Sequence, residues 1–104
     1  MKYKDRDINL KYNIIAIREI EKKLGKSVFK IASEMEDISI DMLVTLLWAG
    51  MRKQFKNITL EETADFLDNL LENNEMNIVE ITKLVMENFV ESLTGLIKTE
   101  EPKN

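Results

Sequence analysis

The side chains that carry most enzymatic chemistry are missing from this chain. Its 104 residues include no histidine and no cysteine. That removes thiolate nucleophiles, Ser-His and Cys-His pairs, imidazole bases and zinc sites built on sulfur or imidazole. Carboxylates, lysine, tyrosine and serine remain. Two carboxylate pairs, Asp65/Asp68 and Glu87/Glu91, fall at spacings that share a helix face. Two acids on one face can hold a divalent cation or act as acid and base. Metal sites in helical bundles, however, draw acids from several helices together with histidines, and no such set exists here. Both pairs read as solvated helix faces, with neither metal nor cofactor. Glu34, Glu36 and Asp37 are denser but lack the alternating order of a calcium loop. Ser27 and Ser39 stand where helix caps are needed, and Ser33 and Ser92 have no base nearby in sequence. Gly25, Gly50 and Gly95 are too scattered to cradle a phosphate. The inventory excludes most of the common catalytic chemistries.

Binding is then the function to look for, and charge is its first guide. The net charge of -4 hides a gradient: residues 1–26 hold eight Lys/Arg against four Asp/Glu, whereas residues 61–97 hold one Lys against nine acids. A chain polarised in this way can dock its basic end on its own acidic end or on that of another copy, making a homo-oligomer; solvated helix faces are the plainer account. Lys2, Lys4, Arg6 and Lys11 beside Tyr3 and Tyr12 are the only arm suited to nucleic acid. An acidic chain disfavours that use, because phosphate neutralisation calls for a clearly basic surface.

Helices must position whatever binds. With 44% hydrophobic and 33% charged residues the chain has the apolar material for one core. The start, Met1 to Asp7, is followed by no apolar stretch of the kind a secretory signal needs. The longest nearly apolar run, Met42 to Met51, is about half a bilayer span and reads as a buried helix, so no membrane segment is expected. Ile8, Leu10 and Tyr12 alternate with polar residues, the period of a half-buried strand, which needs a partner. From Asn13 the period is helical. Asn13 and Gly25 bracket a helix with Ile14, Ile17, Ile20 and Leu24 on one face, and Ser27 opens a short one with Val28, Ala32 and Met35. Ser39 caps the most apolar helix, whose stripe is Ile40, Leu43, Val44, Leu47, Met51 and Phe55. Thr59 with Glu62 forms a capping-box pattern before Leu60, Ala64, Leu67 and Leu71. Asn77 with Glu80 repeats it before Ile78, Ile81, Val85, Phe89 and Leu96. The expectation is an all-α fold: a compact bundle of about five helices with a short N-terminal extended strand. It forms one domain over residues 1–97, followed by a flexible tail at 98–104.

Two helices carry more apolar surface than one core face needs. Met42 and Leu46, with Ala49, fall opposite the main stripe of the central helix. On the last helix Val79, Met86, Val90 and Ile97 form a second stripe, with Leu93 bridging it to the first. Adaptable methionines suit a surface that accepts another protein's helix. The candidate protein-binding residues are therefore Met86, Val90, Leu93 and Ile97, with Met42 and Leu46 as a second patch.

The stretch from Leu10 to Ser27, with its element Glu21-Lys22-Lys23-Leu24-Gly25, resembles the opening of the tail assembly chaperones of long-tailed bacteriophages and gene transfer agents. Leu46-Leu47-Trp48-Ala49-Gly50-Met51-Arg52 is similar to that family's apolar helix, and Thr59-Leu60-Glu61-Glu62 to its next helix start, so the likeness spans about residues 8–72. It implies a non-enzymatic helical protein of the host bacterial cytoplasm, absent from the finished virion. Such a protein binds the tape measure protein, keeps its apolar helices soluble and recruits tail tube protein. Two other classes stay open: a small DNA-binding regulator using the basic arm, and a structural virion or adaptor protein.

Overall fold

Each of the five α-helices among the described residues starts where a side chain can accept the first unpaired N–H groups. The computed structural model describes residues 1–97; the tail expected at 98–104 lies outside the described residues. Asn13 accepts from the Ala16 N–H and opens α1 (Ile14–Leu24), which stops at Gly25 with φ 71°, the left-handed turn that glycine adopts without strain. Ser27 opens α2 (Val28–Ser33), and Ser39 opens α3 (Ile40–Met51) after a 3-10 turn at Met35–Asp37. At α4 (Leu60–Glu72) both bonds of the capping box form, Glu62 N–H to Thr59 Oγ1 and Thr59 N–H to Glu62 Oε1, each 3.0 Å. Asn77 and Glu80 make the same reciprocal pair at the start of α5 (Ile78–Ile97).

The core is built around α3, which α1, α4 and α5 all pack against. Leu43, Leu46, Leu47, Ala49 and Met51 are buried there with Ile20 from α1, Leu67 from α4 and Ile81, Val85 and Phe89 from α5. The result is a small all-α bundle with a two-stranded hairpin as its only sheet among the described residues. No described helix is long and apolar enough to cross a membrane. The stripes expected from periodicity need small rotations. Ile14 and Ile40 are exposed at the first turns of their helices, Ala16 and Leu70 take buried places in α1 and α4, and Phe55 lies beyond the end of α3. First-turn residues project past the neighbouring helix, so the apolar period runs on where nothing covers it.

The expected strand over residues 8–12 is not one. Regular pairing belongs to β1 (Lys2–Tyr3) and β2 (Arg6–Asp7), antiparallel with Lys2 opposite Asp7 and Tyr3 opposite Arg6. They are joined through Lys4 and Asp5, whose φ values of 53° and 64° suit a tight hairpin turn. Residues 8–12 pass over the end of α3; the Ile8 N–H still pairs with the Met1 carbonyl at 2.9 Å, and the backbone groups after it find partners outside the hairpin. The Lys11 N–H donates to the Gly50 carbonyl at 3.0 Å. Gln54 accepts from the Asn9 N–H at 3.0 Å and donates to the Asp7 carbonyl at 2.8 Å. The alternation still marks the buried side, since Leu10 and Tyr12 are core residues and Ile8 packs against the core.

Tyr12 fastens this segment. Its hydroxyl donates to the Leu46 carbonyl at 2.7 Å, its ring meets Phe89 edge-on at 5.3 Å, and burial pushes its phenol pKa well above the ordinary value, so it stays neutral. Gly50 makes the fit possible: a Cβ there would lie 2.8 Å from the tyrosine ring. Gly50→Ala is therefore expected to lose about 1–2 kcal/mol in urea unfolding, the overpacking cost outweighing alanine's better helix propensity. Gly95 has nothing within 4 Å of the same position. Gly95→Ala is expected to gain about 0.5–1 kcal/mol in the same assay, and equal effects at the two sites would contradict the packing described.

Candidate protein-binding surface

α5 divides its side chains into two rows. Ile81, Val85, Phe89 and Leu93 recur at spacings of four and are buried, so this row faces the bundle. Turning by about 100° per residue, Val79, Met86 and Val90 form an adjacent row. Val79 is 71% exposed and Val90 43% exposed, while Met86 is half-buried with part of its side chain against the core. Together with Ile78, Thr82, Lys83 and Glu87, Val79 and Met86 line an open apolar cleft of about 480 Å³. Lys83, Glu80, Glu87 and Glu91 are exposed along the far edge of the row. The outcome is an uncovered hydrophobic stripe with charged side chains, three acids and Lys83, on one side and the bundle on the other.

The structure separates the six candidate residues. Met86 and Val90 are on the stripe. Leu93 belongs to the buried row instead, because a bridging position on the helix wheel is drawn inward when the next helix lies close. The side chain of Ile97 lies outside the described residues. Met42 and Leu46 do not form a second patch: Leu46 is 0% exposed and Met42 9%, since α3 is enclosed by other elements on both of its apolar faces. Val79 is the most exposed member of the stripe, and its place there follows from the same period as Met86 and Val90.

Asp65, Asp68, Glu87 and Glu91 are all exposed, and Asp65 lines a polar cleft with Lys2, Lys4 and Asn69 between the hairpin and α4. Among the described residues no group of three or more acids could hold a metal ion. Glu34 is held below the ordinary carboxylate range, first by its 2.8 Å hydrogen bond from Lys26 and further by the charges of Lys26 and Lys30. It serves as a clip between the α1–α2 turn and the end of α2. The basic N-terminal arm is folded onto the bundle. Tyr3 packs edge-on against Phe55 and Phe66 with ring centroids 5.0 and 5.2 Å apart, and the Arg6 guanidinium lies over Phe55 at 4.7 Å.

Sequence periodicity missed several exposed apolar side chains, Ile15, Phe29 and Ile40 among them. The doublet Ile14-Ile15 at a helix start is the one legible hint, because adjacent helical residues point about 100° apart and a narrow core face does not bury both. No family profile, curated protein or solved structure matches the chain.

Proposed function

We propose that this protein is a tail assembly chaperone of a long-tailed bacteriophage or prophage. In this role it acts without catalysis in the host cytoplasm, binds apolar helices of the tape measure protein and recruits tail tube protein. The observation that carries the proposal is the uncovered stripe of Val79, Met86 and Val90 on α5, bordered by Glu80, Glu87 and Glu91. A helix-in-groove contact needs such a row of apolar anchors one or two turns apart, with charge alongside to keep the free surface soluble. The half-buried, flexible Met86 suits clients of varied sequence. A chaperone must also release its client, and a shallow open cleft favours reversible binding over a tight enclosed pocket.

The resemblance supports the proposal through the positions it covers. Glu21 to Gly25 forms the end of α1, Ala49-Gly50-Met51-Arg52 the end of α3, and Thr59 to Glu62 the cap of α4. These are helix ends and caps of the bundle, so they support a shared scaffold, and α5 supplies the client surface. The test is co-expression of this protein with a tape measure protein encoded beside it. The expected outcome is that the long protein moves from the insoluble to the soluble fraction only when this chain is present. An unchanged distribution would remove the chaperone role.

A further inference from the structure

The β1–β2 hairpin sits on an aromatic pocket of the bundle. Tyr3, half-buried, sets its ring edge-on against both Phe55 and Phe66, with centroids 5.0 and 5.2 Å away, and the Arg6 guanidinium lies over Phe55 at 4.7 Å. Clefts of about 430 and 470 Å³ flank the hairpin, and Lys2, Lys4, Leu70 and Glu75 line both of them. Asp65 and Glu75 are exposed in these clefts, yet among the described residues no ion pair joins an acid to Lys2, Lys4 or Arg6. With two residues in each strand, the hairpin is too small to be stable by itself. Its turn also holds Lys4 and Asp5 at positive φ, where a residue with a side chain is less at ease than glycine. Gln54 ties the chain down at Asp7 and Asn9, so the segment before Asp7 can lift while residues 9–12 stay in place.

We propose that the hairpin is an autoinhibitory plug, and that the pocket between Phe55 and Phe66 takes an aromatic side chain from a basic segment of another protein once Tyr3 withdraws. The present occupant defines the chemistry of the next one. Tyr3 is an aromatic ring between two lysines, Lys2 and Lys4, and edge-on contact with two further rings is a geometry that favours aromatic over aliphatic guests. Asp65 and Glu75 beside the pocket supply the opposite charge for cations flanking such a ring. A plug on the same chain competes at an effective concentration of the order of mM, so it keeps out weak ligands and yields to one that binds more tightly or is held nearby. The pocket shares no residue with the α5 stripe, and the inference does not rest on the chaperone reading.

Titration of the capped tripeptide Lys-Tyr-Lys into the intact chain, followed by NMR chemical shifts, tests this. Tyr3→Ser with Arg6→Ser removes both groups that rest on the aromatic rings, and this variant is expected to bind the tripeptide at least about 10-fold more tightly than the wild type does. Lys-Ala-Lys and Glu-Tyr-Glu, which lack the ring and the cations respectively, are expected to bind the variant more weakly. Equal binding to variant and wild type, no binding to the variant, or Lys-Ala-Lys binding as well as Lys-Tyr-Lys overturns the proposal. So does a contact between chains from Tyr3 of an added wild type to Phe66 of the variant, seen in an isotope-filtered nuclear Overhauser spectrum, which would make the hairpin a swapped arm. Hydrogen exchange on the wild type needs no variant to fold. The Ile8 N–H, bonded to the Met1 carbonyl, is expected to exchange at a rate indifferent to low urea, as local opening does, while the Leu47 N–H in α3 follows global unfolding and accelerates with urea. The same urea dependence at both positions would show that the hairpin does not lift separately, and the plug would be excluded.

Discussion

Met86→Lys combined with Val90→Lys is expected to weaken capture of a tape measure helix by on the order of 100-fold. Burying two such side chains in a partner is worth about 3 kcal/mol or more, and each 1.4 kcal/mol is a factor of ten. Lysines at both positions also have to be desolvated, which adds to the loss. The fold is expected to tolerate the change. Val90 is exposed, and a lysine at position 86 can keep the apolar contact with its stem while its ammonium reaches water. Pull-down against an immobilised client segment measures the first effect, and far-UV circular dichroism with thermal melting measures the second. Val79→Lys provides a check that does not touch the core, since Val79 is the most exposed of the three. Full capture by that variant together with the double variant would show that the stripe is not the client surface.

The second large effect is on stability. Tyr12→Ala is expected to cost about 3–5 kcal/mol, as removal of a buried aromatic ring does. That is a large share of the roughly 5–15 kcal/mol that holds a domain of this size together. The loss reaches beyond the lead-in segment, because the same ring closes on Gly50 in α3 and meets Phe89 in α5. Tyr12→Phe keeps the ring and removes only the hydrogen bond to the Leu46 carbonyl, so about 1 kcal/mol is expected. Urea unfolding followed through Trp48, whose buried indole donates to the Ile58 carbonyl at 2.9 Å, measures both. Equal losses for the two variants would mean that the hydroxyl rather than the ring carries the attachment.

The helix starts are legible in the sequence because capping is a local property. Asn13, Ser27, Ser39, Thr59 and Asn77 each meet their partner within three residues, so no tertiary information is needed. Pairing of the segment before α1 is not local. Alternation at Ile8, Leu10 and Tyr12 marks which side is buried, but after the Ile8 N–H, which pairs with Met1, a helix end and the Gln54 side chain take the backbone bonds, and nothing in the spacing points to them. The same division runs through the surface. Periodicity places Val79, Met86 and Val90 on one row of α5, whereas whether a row is covered depends on where the other helices lie. The opposite face of α3, with Met42 and Leu46, has the same apolar pattern and is enclosed; the α5 row is not. Lys11 and Ile15 meet Arg52, Lys53 and Lys56 around one groove between α1 and α3, and only the fold brings these two distant stretches together.

The central claim is that this chain holds a long apolar helical client during tail building. Its most direct test is co-expression with the neighbouring genes, affinity purification of this protein and mass spectrometry of what is retained, for the wild type and for the Met86→Lys, Val90→Lys variant side by side. The account predicts that the wild type retains a very long helical protein or a tube subunit and that the variant loses it while remaining folded. Retention of neither by the wild type, with both partners demonstrably expressed, would contradict it.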